Sequence, residues 1–406
     1  MQISLFDGNN KFKINKPIRL IELFAGIGSQ AKALKNLGVD FEHYRICEFD
    51  KYAVVSYNAV HGTNFETSDI TKITAKDLGI VDTDKYCYIM TYSFPCQDLS
   101  SAGLGKGMAK GSGTRSGLLW EVERLLDECE KLPQVLLMEN VPQVIGQNNI
   151  QHFAKWIEKL EQLGYKNKWQ VLNAKDYGIP QNRERCFMVS ILGDYYYDFP
   201  KTIPLTLRLK DMLETEVEHW FRTDNCFSIP SADVWFELKG LLNIQTDEFD
   251  KSITEFIEKP NKFESSNRAY SDNVLSPTIT ATTSPNVVKV ADDIKPSVRE
   301  NYVRDKEKIA KSDKDIFMCD CTSGFNDNKV GIKLSPTIRA GNSHTAVYNN
   351  LLIRKLTPKE CWRLMGFADK DIDNAIAIGM SNAQLYKQAG NSICVQVLMA
   401  IFKEML

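Results

Sequence analysis

Ile18-Arg19-Leu20-Ile21-Glu22-Leu23-Phe24-Ala25-Gly26-Ile27-Gly28-Ser29 is an apolar run closed by two spaced glycines. Ile18 to Phe24 predicts a short buried strand. Ser29 to Leu37 predicts a helix, with Ser29 near its N-cap and Gly38 as its stop. A strand passing into a helix through a glycine turn is the first half of a βαβ unit. Glycines let the backbone approach a ligand closely, and the helix N-terminus faces it. Gly28 is read as leaving room where that ligand lies. A bare Gly-x-Gly serves equally well as a structural turn. No Lys-Ser or Lys-Thr follows, so this is not a P-loop.

The alternation continues outward from this stretch. Tyr86 to Tyr92 and Gln134 to Met138 read as buried strands, and Trp169 to Leu172 and Cys186 to Leu192 as two more. Leu118, Leu119, Val122, Leu125, Leu126 and Cys129 recur at helical spacing, predicting a helix to about Lys131. Phe153, Trp156, Ile157, Leu160 and Leu163 mark another helix, stopped by Gly164. Strands separated by helices predict an α/β fold with a mainly parallel, doubly wound sheet.

The length of 406 residues predicts two or three domains. Hydrophobic residues make up 43% and charged residues 25%, which excludes a disordered or collagen-like chain. No apolar run reaches the roughly 18 residues of a membrane helix, and Met1 to Pro17 lacks the apolar core of a secretory signal. Lys plus Arg is 50 and Asp plus Glu is 52, so any nucleic-acid face must be a local patch. The ten cysteines form no C-x-x-C, and the closest pair is Cys319 and Cys321. That pattern predicts a reducing, cytoplasmic compartment. His43, His61, His152, His219 and His344 are isolated along the chain, so no metal is expected.

From about residue 195 to 350 the chain turns irregular, rich in Ser, Thr, Asn, Asp and Pro. Leu275-Ser276-Pro277-Thr278-Ile279-Thr280-Ala281 is echoed by Leu334-Ser335-Pro336-Thr337-Ile338-Arg339-Ala340. Two such pieces are too short for a repeat array. They read as similar strand entries within a separate, smaller, mostly β domain. Order returns with Thr357-Pro358-Lys359-Glu360, a capping Thr with Pro at the first helical position and Glu at the third. Cys361 to Met365 continues that helix, and Ser392 to Met405 predicts a last apolar one. These helices are expected to pack back on the first sheet. The predicted division is therefore 1–195, 196–350 and 351–406, the outer two forming one domain.

Four places carry chemistry. Glu48 follows Gly28 at the distance where an acid holds ribose hydroxyls, and Asp69-Ile70 falls where a third strand should end. With the glycine turn they suit an adenosine cofactor. Ser93-Phe94-Pro95-Cys96-Gln97-Asp98-Leu99-Ser100 follows the Tyr86 strand, and a Cys at a strand's C-terminal edge is a candidate nucleophile. A single Cys is more often inert and buried. The next loop alternates Gly103, Gly105, Gly107, Gly111 and Gly113 with Lys106, Lys110 and Arg115, and such a loop suits an anionic substrate as well as plain solvent. Glu139, in Glu139-Asn140-Val141-Pro142, sits at a strand end facing the same crevice, where burial would make it a proton donor, although a helix-capping or salt-bridged glutamate reads equally well in isolation. Gln181, Arg183 and Arg185 alternate, predicting one polar face with arginine donors for a carbonyl or phosphate oxygen, although paired surface arginines are more often only solvated.

In this order the motifs resemble the DNA cytosine-5 methyltransferase family, of the bacterial and phage type II restriction-modification kind. The similarity runs from Ile18 to about Leu192 and resumes at Arg354. Pro95-Cys96-Gln97 resembles its nucleophile motif, Glu139-Asn140-Val141 its acid motif and Gln181-x-Arg183-x-Arg185 its arginine motif. Arg354 to Phe367 resembles its C-terminal helix motif, and Gln388-Ala389-Gly390-Asn391-Ser392-Ile393 the last motif, which lines the cofactor pocket. The resemblance implies a Rossmann-like S-adenosylmethionine-dependent fold with residues 196–350 as the target-recognition domain. It implies cofactor contacts from Phe24, Gly26, Gly28, Glu48, Phe49, Asp69, Ile70, Pro95, Leu118, Asn391, Ser392 and Ile393. Cys96, Glu139, Arg183 and Arg185 become catalytic, and Gln97, Ser100, Lys106, Arg115 and Thr337 DNA contacts. The implied partner is double-stranded DNA, bound by a cytoplasmic, nucleoid-associated monomer without membrane or metal. A cognate restriction endonuclease would act on the same sequence without direct contact.

Other classes explain less. A Cys/His hydrolase lacks a His near any motif, and a nicotinamide-dependent dehydrogenase gives Cys96 and the arginines no joint task. A tRNA cytosine-5 methyltransferase of the related type would carry Cys-Phe-Thr, to which Cys226-Phe227-Ser228 comes nearest. An inactive DNA-binding relative would not need both Cys96 and Glu139.

Overall fold

The computed structural model describes residues 10–96, 99, 107–214, 268–271, 345–349 and 352–406. Among these, the main sheet has six strands: β2 (Ile18–Leu23), β3 (Phe41–Cys47), β4 (Cys87–Tyr92), β5 (Val135–Asn140), β6 (Tyr165–Asn173) and β7 (Glu184–Leu192). Their order is β3-β2-β4-β5-β7-β6. Only β7 runs against its neighbours, so the sheet is mainly parallel, as expected. Such a sheet with its helices is a Rossmann-like arrangement. The winding reverses between β2 and β4, and ligands of open α/β sheets bind in the crevice beyond the strand ends there. The glycine turn and the Cys96 loop both leave the sheet at that point.

Strand alternation divides the core into two layers. Leu20 and Ile89 face one side, with α1 (Ser29–Asn36) and the C-terminal helices. Ile21 and Met90 face the other, with the short α3 (Ala75–Leu78), α4 (Leu119–Glu128) and α5 (Ile150–Gln162). The C-terminal helices are α6 (Pro358–Leu364), α7 (Asp369–Ala377), α8 (Asn382–Asn391) and α9 (Val395–Lys403). As expected they return to the first sheet: α9 packs on α1, and α7 reaches α2 (Lys51–His61). A buried Lys32–Asp371 ion pair of 2.7 Å joins α1 to α7. Thr357 and Glu360 form the predicted capping box of α6.

Several local expectations change. The N-cap of α1 is Gly28, at φ 79°, and Ser29 is the first helical residue. The last helix begins at Val395, because Ser392 has left the helical region at φ −73° and ψ 158°. The segment directly before Asp69 is not a strand. The Asn58 side chain instead holds the chain as a loop, bonding Phe65 O, Phe65 N–H and the Thr63 hydroxyl.

The packing of the first domain continues past residue 195. The short β8 (Tyr195–Tyr196) pairs with β1 (Asn10–Lys11), and Tyr197, Leu209 and Met212 are buried in the core. Arg363 donates to the carbonyls of Met212 and Leu213, and Glu214 contacts both Thr357 and Glu360. The chain's departure at Glu214 is thus fastened beside its return at α6. In the stretch between, the described pieces are β9 (Arg268–Ser271), β10 (Thr345–Asn349) and β11 (Leu352–Lys355), in one three-stranded sheet.

Candidate active site

The glycine turn is tied to the end of β3. Phe24 and Ala25 donate their N–H groups to Cys47 O, at 2.7 and 3.3 Å. Phe24 adopts φ 58°, a conformation L-residues rarely occupy, so the fold holds strain at this turn. Glu48 is central to it. Its Oε2 accepts from Gly26 N–H at 2.9 Å and its Oε1 from Asp50 N–H at 2.8 Å. Burial raises its pKa against these two bonds.

The two glycines play different parts. A Cβ on Gly26 would meet nothing within 4 Å, so this glycine borders open space. A Cβ on Gly28 would lie 2.3 Å from His61 Nε2 and 2.6 Å from Tyr57 Cε2. Gly28 therefore makes room for protein behind the turn, correcting the expectation that it makes room for a ligand.

The other predicted cofactor residues have the following surroundings. Phe49 is 76% exposed, unusual for a large apolar side chain and suited to covering a flat ring. Asp69 accepts from the Thr71 amide and hydroxyl, which hold its carboxyl below the usual range. Ile70 is buried, and its carbonyl takes a bond from Arg124. Leu118 ends the short helix Arg115–Leu118 that leads into α4. From the far end of the chain, Ile393 N–H donates to Ser29 Oγ at 3.2 Å. Lys387 pairs with Asp50, and Gln388 bonds Ser56 and Tyr52 O. Asn391 and Ser392 are thereby brought beside the first helix. Open space at Gly26, an exposed Phe49 and the Glu48 carboxylate fit an adenosine-bearing cofactor.

Cys96 lies half-buried in the loop leaving β4. That loop is held at three points. Asn140 Nδ2 donates to Phe94 O at 2.9 Å, Ser116 Oγ to Pro95 O at 2.7 Å, and Leu99 N–H to Cys96 O at 3.0 Å. Glu139, inside β5, meets Arg185, inside β7, with Arg185 Nε 3.1 Å from Glu139 Oε1. Their side chains are only 10% and 12% exposed. Burial raises the Glu139 pKa, opposed by Arg185 and Arg183, so the carboxyl keeps its proton more readily than a surface glutamate. Burial likewise raises the Cys96 thiol, while Arg185 and Arg183 pull it down and Glu139 pushes it up. A protonated Glu139 therefore favours the thiolate.

Alkylation by iodoacetamide tests this balance. The rate at Cys96 should still be climbing at pH 9, and Arg185→Gln should slow it at any given pH. Peptide mapping separates Cys96 from the other cysteines.

The arginine motif behaves differently from its simple alternation. Regular strand begins only at Glu184. Before it, Gln181 N–H bonds Ile179 O and Arg183 N–H bonds Gln181 O, which breaks the period of two. Gln181 turns into the core and donates to Leu364 O at 2.8 Å. Arg183 is 3% exposed and donates to Gly390 O at 3.0 Å and Ser392 O at 2.7 Å. Burial brings its pKa down to about 9. Arg183 therefore fastens the last motif, and Arg185 pairs with Glu139. The spacing missed Asn140 and Ser116, which fix the Cys96 loop. Arg115 is exposed. Gln97, Ser100, Lys106 and Thr337 lie outside the described residues.

Comparison with known proteins identifies the family. The family model for C-5 cytosine-specific DNA methylase matches residues 18–406. Type II methyltransferase M2.ScrFI of Lactococcus lactis subsp. cremoris is 30% identical, over 96% of this chain and 99% of that protein. Orphan methyltransferase M.SssI of Spiroplasma monobiae is 33% identical, over 68% of this chain and 83% of its own. Among solved structures, S. pombe Dnmt2 methyltransferase superposes with a TM-score of 0.58 at 18% identity, over 96% and 98% of the two chains, a likeness of fold. With its motifs in order and the family matched over nearly its whole length, the chain belongs to the C-5 cytosine-specific DNA methylases, enzymes that methylate carbon 5 of cytosine in DNA.

Proposed function

We propose that this chain methylates carbon 5 of a cytosine flipped out of double-stranded DNA through a covalent bond to Cys96. The observation that carries this is the meeting of Cys96, Glu139 and Arg185 at one edge of the sheet, beside a turn open at Gly26. A base inside a stacked duplex cannot reach such a cleft, so it must be flipped. The Cys96 thiolate adds to carbon 6, and the displaced electron pair moves through the ring towards N3, which takes a proton from Glu139. Arg185 holds the Glu139 carboxyl in place. Carbon 5 then becomes nucleophilic. S-adenosylmethionine, the cofactor of this family, supplies a methyl group on its sulfonium when bound. As carbon 5 is methylated, N3 gives its proton back to the Glu139 carboxylate, and loss of the carbon-5 proton to solvent water then expels the Cys96 thiolate and restores the double bond.

Phe24, Gly26, Glu48, Phe49, Asp69, Ile70, Pro95, Leu118, Asn391, Ser392 and Ile393 would hold the cofactor. Glu48→Ala removes a charged acceptor from ribose hydroxyls and frees Gly26 N–H. It should weaken S-adenosylmethionine binding by about 1.5–3 kcal/mol in calorimetry without DNA. Unchanged affinity would place the ribose elsewhere.

The division into a discontinuous catalytic domain and a recognition domain is part of the same reading, with the first boundary near Glu214. The recognition domain would read the bases, with Thr337 touching the target nucleotide's backbone. The enzyme would act in the cytoplasm as a monomer, alongside a restriction endonuclease of the same specificity that it does not touch. Incubation with labelled S-adenosylmethionine and duplex DNA, tRNA or no nucleic acid tests the substrate. Label in duplex DNA at carbon 5 of cytosine is expected, and label in tRNA alone would contradict it.

A further inference from the structure

Behind the glycine turn lies a closed polar cluster that the chemistry above does not use. Glu22, inside β2, is 0% exposed. Strand alternation points it the same way as Leu20, towards α1. Its Oε1 accepts from Ala31 N–H in the first turn of α1, at 3.3 Å, and its Oε2 from the Tyr57 hydroxyl at 2.5 Å. The Tyr57 oxygen lies 3.0 Å from His43 Nδ1. His61 packs on the rings of Tyr57 and His43, with centroids 4.5 and 5.1 Å away. Its Nε2 is 3.0 Å from Ile27 O, the carbonyl between the two glycines. Burial lowers the His61 pKa to about 3, so the ring is neutral and Nε2 carries the proton that it donates to Ile27.

We propose that Glu22 is a positioning residue for S-adenosylmethionine, shaping the glycine turn through Ala31, Tyr57 and His61, and that the turn binds best when Glu22 is ionised. This deepens the proposed function and rests on its reading of the turn as the cofactor site. A carboxylate accepts from the helix amide and the phenol together, and its charge suits a helix N-terminus. A protonated carboxyl gives up part of that acceptor capacity, so it holds the Ala31 amide and the Tyr57 hydroxyl less strongly at once. Tyr57 on α2 faces it directly, His61 on α2 and His43 on β3 pack on Tyr57, and the charges of Lys32 and Lys35 on α1 act on those histidines, with Lys32 paired to Asp371. Burial drives His43 down to about 4, so neither histidine is charged near neutrality. Glu22 itself is pushed up to about 7 by burial, partly countered by the Tyr57 bond. It therefore titrates in the physiological range.

The test is the affinity for S-adenosylmethionine, measured by calorimetry without DNA from pH 6 to pH 8. The cofactor's own amino group titrates near the upper end of this range, so the readout is the difference between wild type and Glu22→Gln. The wild type should gain about tenfold over the interval beyond any gain of Glu22→Gln, as for one group titrating near 7. Tyr57→Phe should keep the gain but move its midpoint to higher pH, because the phenol no longer supports the ionised form. Parallel profiles for wild type and Glu22→Gln would overturn the inference while leaving the cofactor site standing. If Glu22→Gln does not fold, an unmoved midpoint in Tyr57→Phe overturns it instead. Absence of binding by the wild type at every pH would overturn the cofactor site itself, and this inference with it.

Discussion

Cys96→Ser should lower methyl transfer to duplex DNA by at least about three orders of magnitude, the scale of losing an enzyme's nucleophile. The protein should remain folded. The bonds holding the loop come from Asn140, Ser116 and the Leu99 amide to backbone carbonyls, and none uses the sulfur. Its stability should therefore change by less than about 1 kcal/mol. A hydroxyl at this place meets the same Arg185 and Glu139 but remains protonated, and a neutral hydroxyl adds poorly to a pyrimidine ring. DNA binding should persist, because the thiol is one small group in a large contact. Filter binding beside a labelled-methyl assay separates the two effects. Loss of both together would give Cys96 a structural role instead.

Gly28→Val should cost on the order of 3 kcal/mol or more in stability and abolish measurable cofactor binding. Two effects add. The backbone at φ 79° is strained for any β-branched residue, and the new Cβ would press into His61 and Tyr57. Those rings cannot withdraw freely, since His61 holds Ile27 O and Tyr57 holds Glu22. Gly26→Ala makes the contrast. Its Cβ enters open space at φ 55°, so about 1–2 kcal/mol of backbone strain is expected. Thermal unfolding and calorimetry should thus show Gly28→Val failing in both, and Gly26→Ala failing mainly in binding. Equal loss of stability in the two variants would contradict the separate roles of these glycines.

The sheet was readable in the sequence because its signals are local. Apolar strands with glycine stops divide the chain into alternating units, and the Thr357 to Glu360 capping box is spelled out in consecutive residues. Cys96 and Glu139 were readable because both sit at or just beyond strand ends on one edge. Contacts made across the fold were hidden. Glu22 looks like a lone acid in an apolar strand until α2 brings Tyr57 over it. His43 and His61 are distant in sequence, yet their rings lie 5.1 Å apart. Arg183 and Arg185 look equivalent by spacing. Irregular backbone before Glu184 sends the first towards the last motif and leaves the second with Glu139. Asp69 gave no sign that Asn58 would hold the preceding segment as a loop.

The central claim is the bond between Cys96 and the ring, and trapping it is the most direct measurement. Replacing the carbon-5 hydrogen of the target cytosine with fluorine removes the proton whose loss releases the enzyme. After methyl transfer the complex should then survive denaturation, as a shifted band that requires S-adenosylmethionine. Digestion and mass spectrometry should find the modified nucleotide on the peptide containing Cys96. A nucleotide on a peptide containing Cys47 or Cys186, or an equal yield of trapped complex from Cys96→Ser, would contradict the account.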